Sequence, residues 1–314
     1  MMMRLKIRAI VLFAPMAFTA VANAENAFFT PEKVSVDMGL GSLSGESKMH
    51  VYDPQIGGQK IYQANWKYNN AAILKGSLDW DLMPWVSVGA AGWTTIASRG
   101  GNRHSSLQED ARVGQLATEY DNPTPLNYAN QFDLNIKGWL LNEPDYRLGV
   151  MAGYQESRYS FTSFGNFTGY IDQDTGLPVY NPVHDVALNG YKQRSKIPYV
   201  GLTGSYRYQR FEFGATFKYS GWVQSNDREE SYFQEHTSTG KVNSQKYYSL
   251  AANAGYYVTP NAMLYLEGIW NRTTNKIGNR ITDNRPEGTT VVDDFSRGIE
   301  NSSFMTSIGL KYTF

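Results

Sequence analysis

The chain has 314 residues, 29 basic and 29 acidic side chains, and no cysteine. That excludes disulfide staples, thiol nucleophiles and cysteine-based zinc sites, and the balanced charge gives no basic surface for nucleic acid. Mean hydropathy is −0.45 although 14% of residues are aromatic. A polar lumen, an apolar outer band and aromatic girdles would give that pairing.

The first element is a leader. Arg4, Lys6 and Arg8 precede an apolar run from Ala9 to Val21 and a small-x-small site, Ala22-Asn23-Ala24. This pattern predicts a cleaved signal peptide over 1–24 and a mature chain at 25–314 with a charge of −3. The apolar run is short for a membrane anchor, and no later stretch reaches the ~18 apolar residues a helical span needs.

From there the chain alternates with period two, which predicts strands. Val34, Val36, Met38 and Leu40 alternate, as do Tyr62, Ala64, Trp66 and Tyr68, then Ala72, Leu74, Gly76, Leu78 and Trp80. Phe132 to Leu140 forms another set, and Phe211, Phe213, Ala215, Phe217 and Tyr219 the cleanest. At the C-terminus Ile308, Leu310, Tyr312 and Phe314 share a face opposite Gly309, Lys311 and Thr313. An aromatic residue ending such a strand is expected of the closing strand of an outer-membrane barrel. A barrel suits the membrane because closure satisfies every backbone group internally.

The connections sharpen this. Four are tight, at Leu82-Met83-Pro84, Asn142-Glu143-Pro144-Asp145, Tyr208-Gln209-Arg210 and Thr259-Pro260-Asn261. Five are long and polar, at roughly 44–60, 94–128, 159–190, 223–244 and 272–299, and long and short alternate strictly. The expectation is an all-β, ten-stranded antiparallel transmembrane β-barrel, with both ends and the short turns periplasmic and the five long loops extracellular. Strict alternation disfavours a soluble sandwich.

Several stretches carry a resemblance. They include Gly41-Ser42-Leu43-Ser44-Gly45, Gly89-Ala90-Ala91-Gly92-Trp93-Thr94-Thr95 and Lys137-Gly138-Trp139-Leu140-Leu141-Asn142. Met151 to Phe161, Phe217 to Val223 and Gly255 to Ala262 continue it. Across the mature chain the sequence resembles the omptins, ten-stranded outer-membrane endopeptidases that cut next to basic residues.

The resemblance implies a water held between a carboxylate pair on one wall of the outer mouth and an Asp–His pair on the other. Water attacking a neutral amide must lose a proton, and a histidine oriented by a carboxylate can take it. Here the carboxylate pair after Arg99-Gly100-Gly101-Asn102 is replaced by Ser105 and Leu107. In Asp227-Arg228-Glu229-Glu230-Ser231-Tyr232 the Asp of the second pair is Glu229 and the His is Ser231. None of the serines or the leucine is a base near neutral pH. His104, Glu109 and Asp110 in the first loop, and His236 beside Glu235 in the second, read first as solvated loop residues; they are also the candidate substitutes, with a loop shift needed to bring His236 beside Glu229. His50 and His184 read as surface loop residues without metal-ligand spacing.

The family's basic-side-chain pocket has two carboxylates, of which one position is Met49 and the other is kept as Asp227. One carboxylate still attracts Arg or Lys, without the doubly charged recognition. The family's lipopolysaccharide site is better kept: Tyr154, Glu156 and Arg158 match a Tyr-x-Glu-x-Arg strand, Arg194 a further Arg, and Asn243 stands at a Lys position. Outward guanidinium groups suit phosphorylated glycolipid, and a plain Glu156–Arg158 ion pair is the bland alternative.

Three functions are therefore expected in descending order. The first is a pseudoprotease, bound to lipopolysaccharide and needing no cofactor or metal, whose loops take host or envelope proteins as an adhesin would. The second is an endopeptidase working through displaced residues. The third is a passive channel, disfavoured by a narrow, side-chain-filled ten-strand lumen.

Overall fold

The computed structural model describes residues 34–98, 103–110, 115–164, 186–232 and 234–314, with backbone alone for 103–110 and 115–123. The expected leader and His184 lie outside these residues. The strands are β1 (Val34–Asp53), β2 (Gln59–Met83), β3 (Val86–Ala97), β4 (Arg103–Asp110), β5 (Gln115–Pro123), β6 (Leu126–Asn142) and β7 (Tyr146–Phe164). They continue as β8 (Ala187–Tyr208), β9 (Phe211–Ser231), β10 (His236–Tyr257), β11 (Ala262–Thr273), β12 (Ile277–Asn284) and β13 (Thr289–Thr313).

Ten of these close a ring, in the order β1-β2-β3-β6-β7-β8-β9-β10-β11-β13 and back to β1, each pair antiparallel. The seam joins the two ends of the described chain: Ser35 stands opposite Thr313, and Phe314 N–H donates to Val34 O at 2.8 Å. Closure leaves the ring itself without an edge strand, as a sheet in lipid requires. The remaining strands lie outside the ring order, β4 and β5 as a hairpin beside β2, and β12 between β10 and β13.

The period-two pattern resolves into two faces, with the Tyr62–Tyr68 set turned inward and the others mainly outward. Met38, Leu40, Leu134, Ile136, Phe211, Phe213, Ile308, Leu310 and Tyr312 are exposed on the outer wall. Their alternates face a polar lumen. There Lys218 pairs with Asp133 at 2.6 Å, Arg147 with Asp81 at 3.2 Å, and Lys75 with Glu267 and Lys137 with Asp79 more closely. These pairs line a cavity of about 490 Å³. Toward the end carrying the long connections an apolar cluster fills the lumen, with Trp66 stacked on Tyr191 at 3.5 Å between ring centroids.

The four tight turns stand where expected, but most of the long "loops" are paired strand. Only 54–58 separate β1 from β2 and only 232–235 separate β9 from β10. β13 runs for 25 residues, whereas about 9–11 cross a bilayer. Above the lipid the outer face need no longer be apolar, and apolar residues such as Met49 and Trp66 turn inward instead, so the outward hydrophobic alternation disappears while backbone pairing continues. His50 is a consequence: it sits in β1 and is 6% exposed, 3.8 Å from Glu300, and is not the surface loop residue expected.

Candidate functional site

The loop-end rim is built chiefly from β9 and β10. Asp227 stands opposite Gly240, Glu229 opposite Ser238, and Ser231 opposite His236. Cross-strand partners share a face, and this face includes buried Asp227, Ser238 and Gly240, so all six positions look into the mouth. His236 stands opposite Ser231 rather than Glu229. His236 and Glu229 are diagonal neighbours on one face, and among the described residues no hydrogen bond or ion pair joins them. Burial, with the Arg280 charge, holds the His236 imidazole below its ordinary pKa. Burial raises Glu229, the Asp227 charge adds to this, and Arg297 and Arg280 oppose it.

The opposite wall is reached by the backbone alone. β2 lies five steps from β9 in either direction round the ring, and it carries the β4–β5 hairpin. Ser105 pairs with Asn65, Leu107 with Gln63 and His104 with Trp66, while Glu109 and Asp110 pair within the hairpin with Leu116 and Gln115. The hairpin therefore stands across the mouth from Glu229 and Ser231, as two facing walls require.

The pocket positions hold what the sequence did not announce. Asp227 is 2% exposed and Arg297, from β13, is wholly buried against it. Arg297 Nε donates to both Asp227 carboxylate oxygens at 3.0 Å. Gly240 N–H donates to Oδ1 at 2.9 Å and the Tyr191 hydroxyl to Oδ2 at 3.3 Å. Met49, also wholly buried, belongs to the apolar cluster, and its diagonal neighbour across the β1–β13 pair is Arg297. Asp227 is therefore not an open carboxylate awaiting a basic side chain. Arg297 was missed because nothing local marks it: it lies 70 positions from Asp227 in sequence and meets it only through barrel closure.

The residues expected at the lipopolysaccharide site do come together. Arg158 on β7 is the cross-strand partner of Arg194 on β8. Glu156 lies between them, 2.6 Å from Arg158 and 2.7 Å from Arg194, and the Tyr154 hydroxyl is 3.5 Å from Glu156. Both guanidinium groups remain nearly half exposed. Asn243 and Lys241 share the outward face of β10, and Lys241 pairs with Asn226, itself the partner of Arg194.

A closed ten-strand barrel with an apolar belt, a charged lumen and a polar rim is the architecture of an outer-membrane protein. A family model described as the omptin family matches residues 30–314, and the chain belongs to that family. It is 53% identical to Protease 7 of Escherichia coli strain K12 over 99% of this chain and 100% of that protein. It is 50% identical to the outer membrane protease OmpP of the same strain, with the same coverage of both chains. With the plasminogen activator of Yersinia pestis, identity is 37% over 91% of each. The crystal structure of the outer membrane protease OmpT from Escherichia coli superposes with a TM-score of 0.84 over 92% of this chain and 99% of that one. The protein is an outer-membrane barrel.

Proposed function

We propose that this omptin is a pseudoprotease: a lipopolysaccharide-bound surface barrel with little or no endopeptidase activity that works as a binding protein or adhesin. The observation that carries the proposal is the β9 wall, where Glu229 and Ser231 stand in place of a carboxylate–imidazole pair and no described base is hydrogen-bonded to Glu229. Losing a positioned general base costs about 10² to 10⁴ in rate. Ser105 and Leu107 remove the facing carboxylates as well. Lipid binding is supported by two half-exposed guanidinium groups oriented by one glutamate, with Lys241 beside the Asn243 position. A role in binding is supported by the β12–β13 hairpin, which leaves the cross-strand pair Ile281 and Val292, and Phe295, exposed at the loop end.

A second reading, an endopeptidase using displaced residues, draws on His236 lying on the mouth face and on relatives at half identity that are named proteases. One assay separates the two. The lipopolysaccharide-loaded protein is expected to cleave a dibasic peptide no faster than a heat-unfolded control. Turnover that vanishes in His236→Ala would establish the second reading instead.

A further inference from the structure

We propose that Arg297 is an internal occupant of a guanidinium-binding pocket, so that the chain supplies in cis the group a basic ligand would bring; the inference rests on reading Asp227 as the surviving pocket carboxylate. The pocket is built around the guanidinium. Asp227 takes Arg297 Nε on both oxygens at 3.0 Å, and is itself fixed by Gly240 N–H at 2.9 Å and by Tyr191 at 3.3 Å. The arginine stem crosses Gly240 where a Cβ would collide with Arg297 Cγ and Asp227 Oδ1. Met49 lies beside it as an apolar neighbour where the family has a second acid.

The manner of the contact distinguishes an occupant from a strut. A guanidinium fork meets a carboxylate with two parallel N–H bonds. Arg297 instead reaches in from the β13 wall and offers one N–H to two oxygens, and its buried Nη2 has no hydrogen-bond partner among the described residues. A free alkylguanidinium entering from the mouth has no tether to the wall and can use the fork. Deleting the Arg297 side chain beyond Cβ leaves space for such a group, with Asp227 and Tyr191 in place to receive it.

The parent barrel is therefore closed to ligands carrying Arg-like side chains, whatever its peptidase activity. The probe is agmatine, an alkylguanidinium without a carboxylate, titrated against the full-length, lipopolysaccharide-loaded barrel. Binding is read by calorimetry and by the shift in thermal unfolding. Arg297→Ala is expected to bind agmatine tighter than the parent by a factor on the order of 100. Arg297→Met, whose side chain still fills the space, and Arg297→Ala with Asp227→Asn should both fold and bind no better than the parent. If Arg297→Ala refolds only when agmatine is present, the ligand has replaced the side chain, which also supports the proposal. Equal affinity of parent and Arg297→Ala overturns it. So does a folded Arg297→Ala that ignores agmatine, or an Arg297→Ala that fails to fold and is not rescued by agmatine. None of these readouts involves cleavage. A parent that cuts only beside residues other than Arg would sink the pseudoprotease reading alone, a parent that cuts after Arg would sink both, and a failed agmatine titration would sink this one alone.

Discussion

The buried Asp227–Arg297 pair should break asymmetrically. Arg297→Met removes the cation but leaves Asp227 with two donors, Gly240 N–H at 2.9 Å and the Tyr191 hydroxyl at 3.3 Å. A hydrogen bond to a charged group contributes about 1.5–3 kcal/mol, so these two offset much of the desolvation of the carboxylate. Methionine also fills most of the volume that the arginine stem held, so the expected cost is about 1–2 kcal/mol. Asp227→Asn does the reverse. It strands a guanidinium that is wholly buried and whose Nη2 is already without a partner, with Glu229 near but not bonded to it. Breaking a buried pair in this way costs about 3–5 kcal/mol. The double variant removes both charges and should lie within about 1–2 kcal/mol of the parent, because a buried ion pair and an apolar or neutral substitute of similar size are nearly equivalent. The assay is denaturant unfolding of the refolded barrel in detergent, followed by tryptophan fluorescence, for all four chains of the cycle. Additive single effects, or an Arg297→Met loss as large as that of Asp227→Asn, would refute the account.

Three further outcomes follow from the rim and the outer wall. Restoring Ser105→Asp, Leu107→Asp, Glu229→Asp and Ser231→His together should still give little cleavage after arginine while Arg297 fills the pocket; adding Met49→Glu and Arg297→Ala should raise it, measured on a dibasic peptide. Because burial raises the folded-state pKa of Glu229, its stabilising contribution is complete below its ordinary value near 4.5 and is lost as pH rises through the folded value. Glu229→Gln should therefore gain stability relative to the parent between pH 4 and pH 8 (the window in which an acid raised above about 4.3 ionises), and a relative loss across that series would reverse the assignment. Changing Arg158 and Arg194 together to Ala should weaken lipopolysaccharide binding and lower Tm in its presence, since a ligand that binds only the folded state stabilises it. An equal fall without lipid would assign these arginines to the barrel itself.

Much of the barrel was legible because two of its rules act on single residues. Lipid contact forces apolar side chains onto alternate positions such as Phe211, Phe213 and Phe217, and tight turns select residues such as Pro144 and Pro260. The extent of the strands was not legible. Beyond the lipid, residues such as Gln224, Asn226 and Arg228 on the outside and Ser225 and Asp227 on the inside are all polar, so period two survives in the backbone and vanishes from the hydropathy. The catalytic wall could be placed from Asp227 to Ser231 only by the family pattern. The state of Asp227 could not be placed at all, because it depends on which strand closes against which. Lys241 was overlooked for a related reason: a cation two positions from Asn243 keeps the same face, and a position-by-position match does not register it.

Met49 and Arg297 belong together physically. Val51 pairs with Arg297 and Met49 with Ile299, which makes Met49 and Arg297 diagonal neighbours on the inner face of one strand pair. A pocket with acids at both Met49 and Asp227 would hold two like charges close together in a mouth where burial already pushes Glu229 toward its neutral form. Such a site gains from a cation that arrives with the ligand and is left strained when the ligand departs. Replacing one acid by methionine and bringing in Arg297 turns it into a permanently paired, self-satisfied corner, and the ground-state reason to bind a basic side chain disappears. That change would gain little while the general base remained, since cleavage would then lack its substrate. On the pseudoprotease proposal, with Ser231 at the imidazole position and Ser105 and Leu107 at the facing one, an open doubly acidic pocket would carry an electrostatic cost with no reaction to serve. The pocket and the catalytic walls have departed from the family pattern in mutually consistent directions, while the outward Glu156, Arg158 and Arg194 have not departed at all. That division is what a barrel kept for its place in the membrane and its outer surface would show.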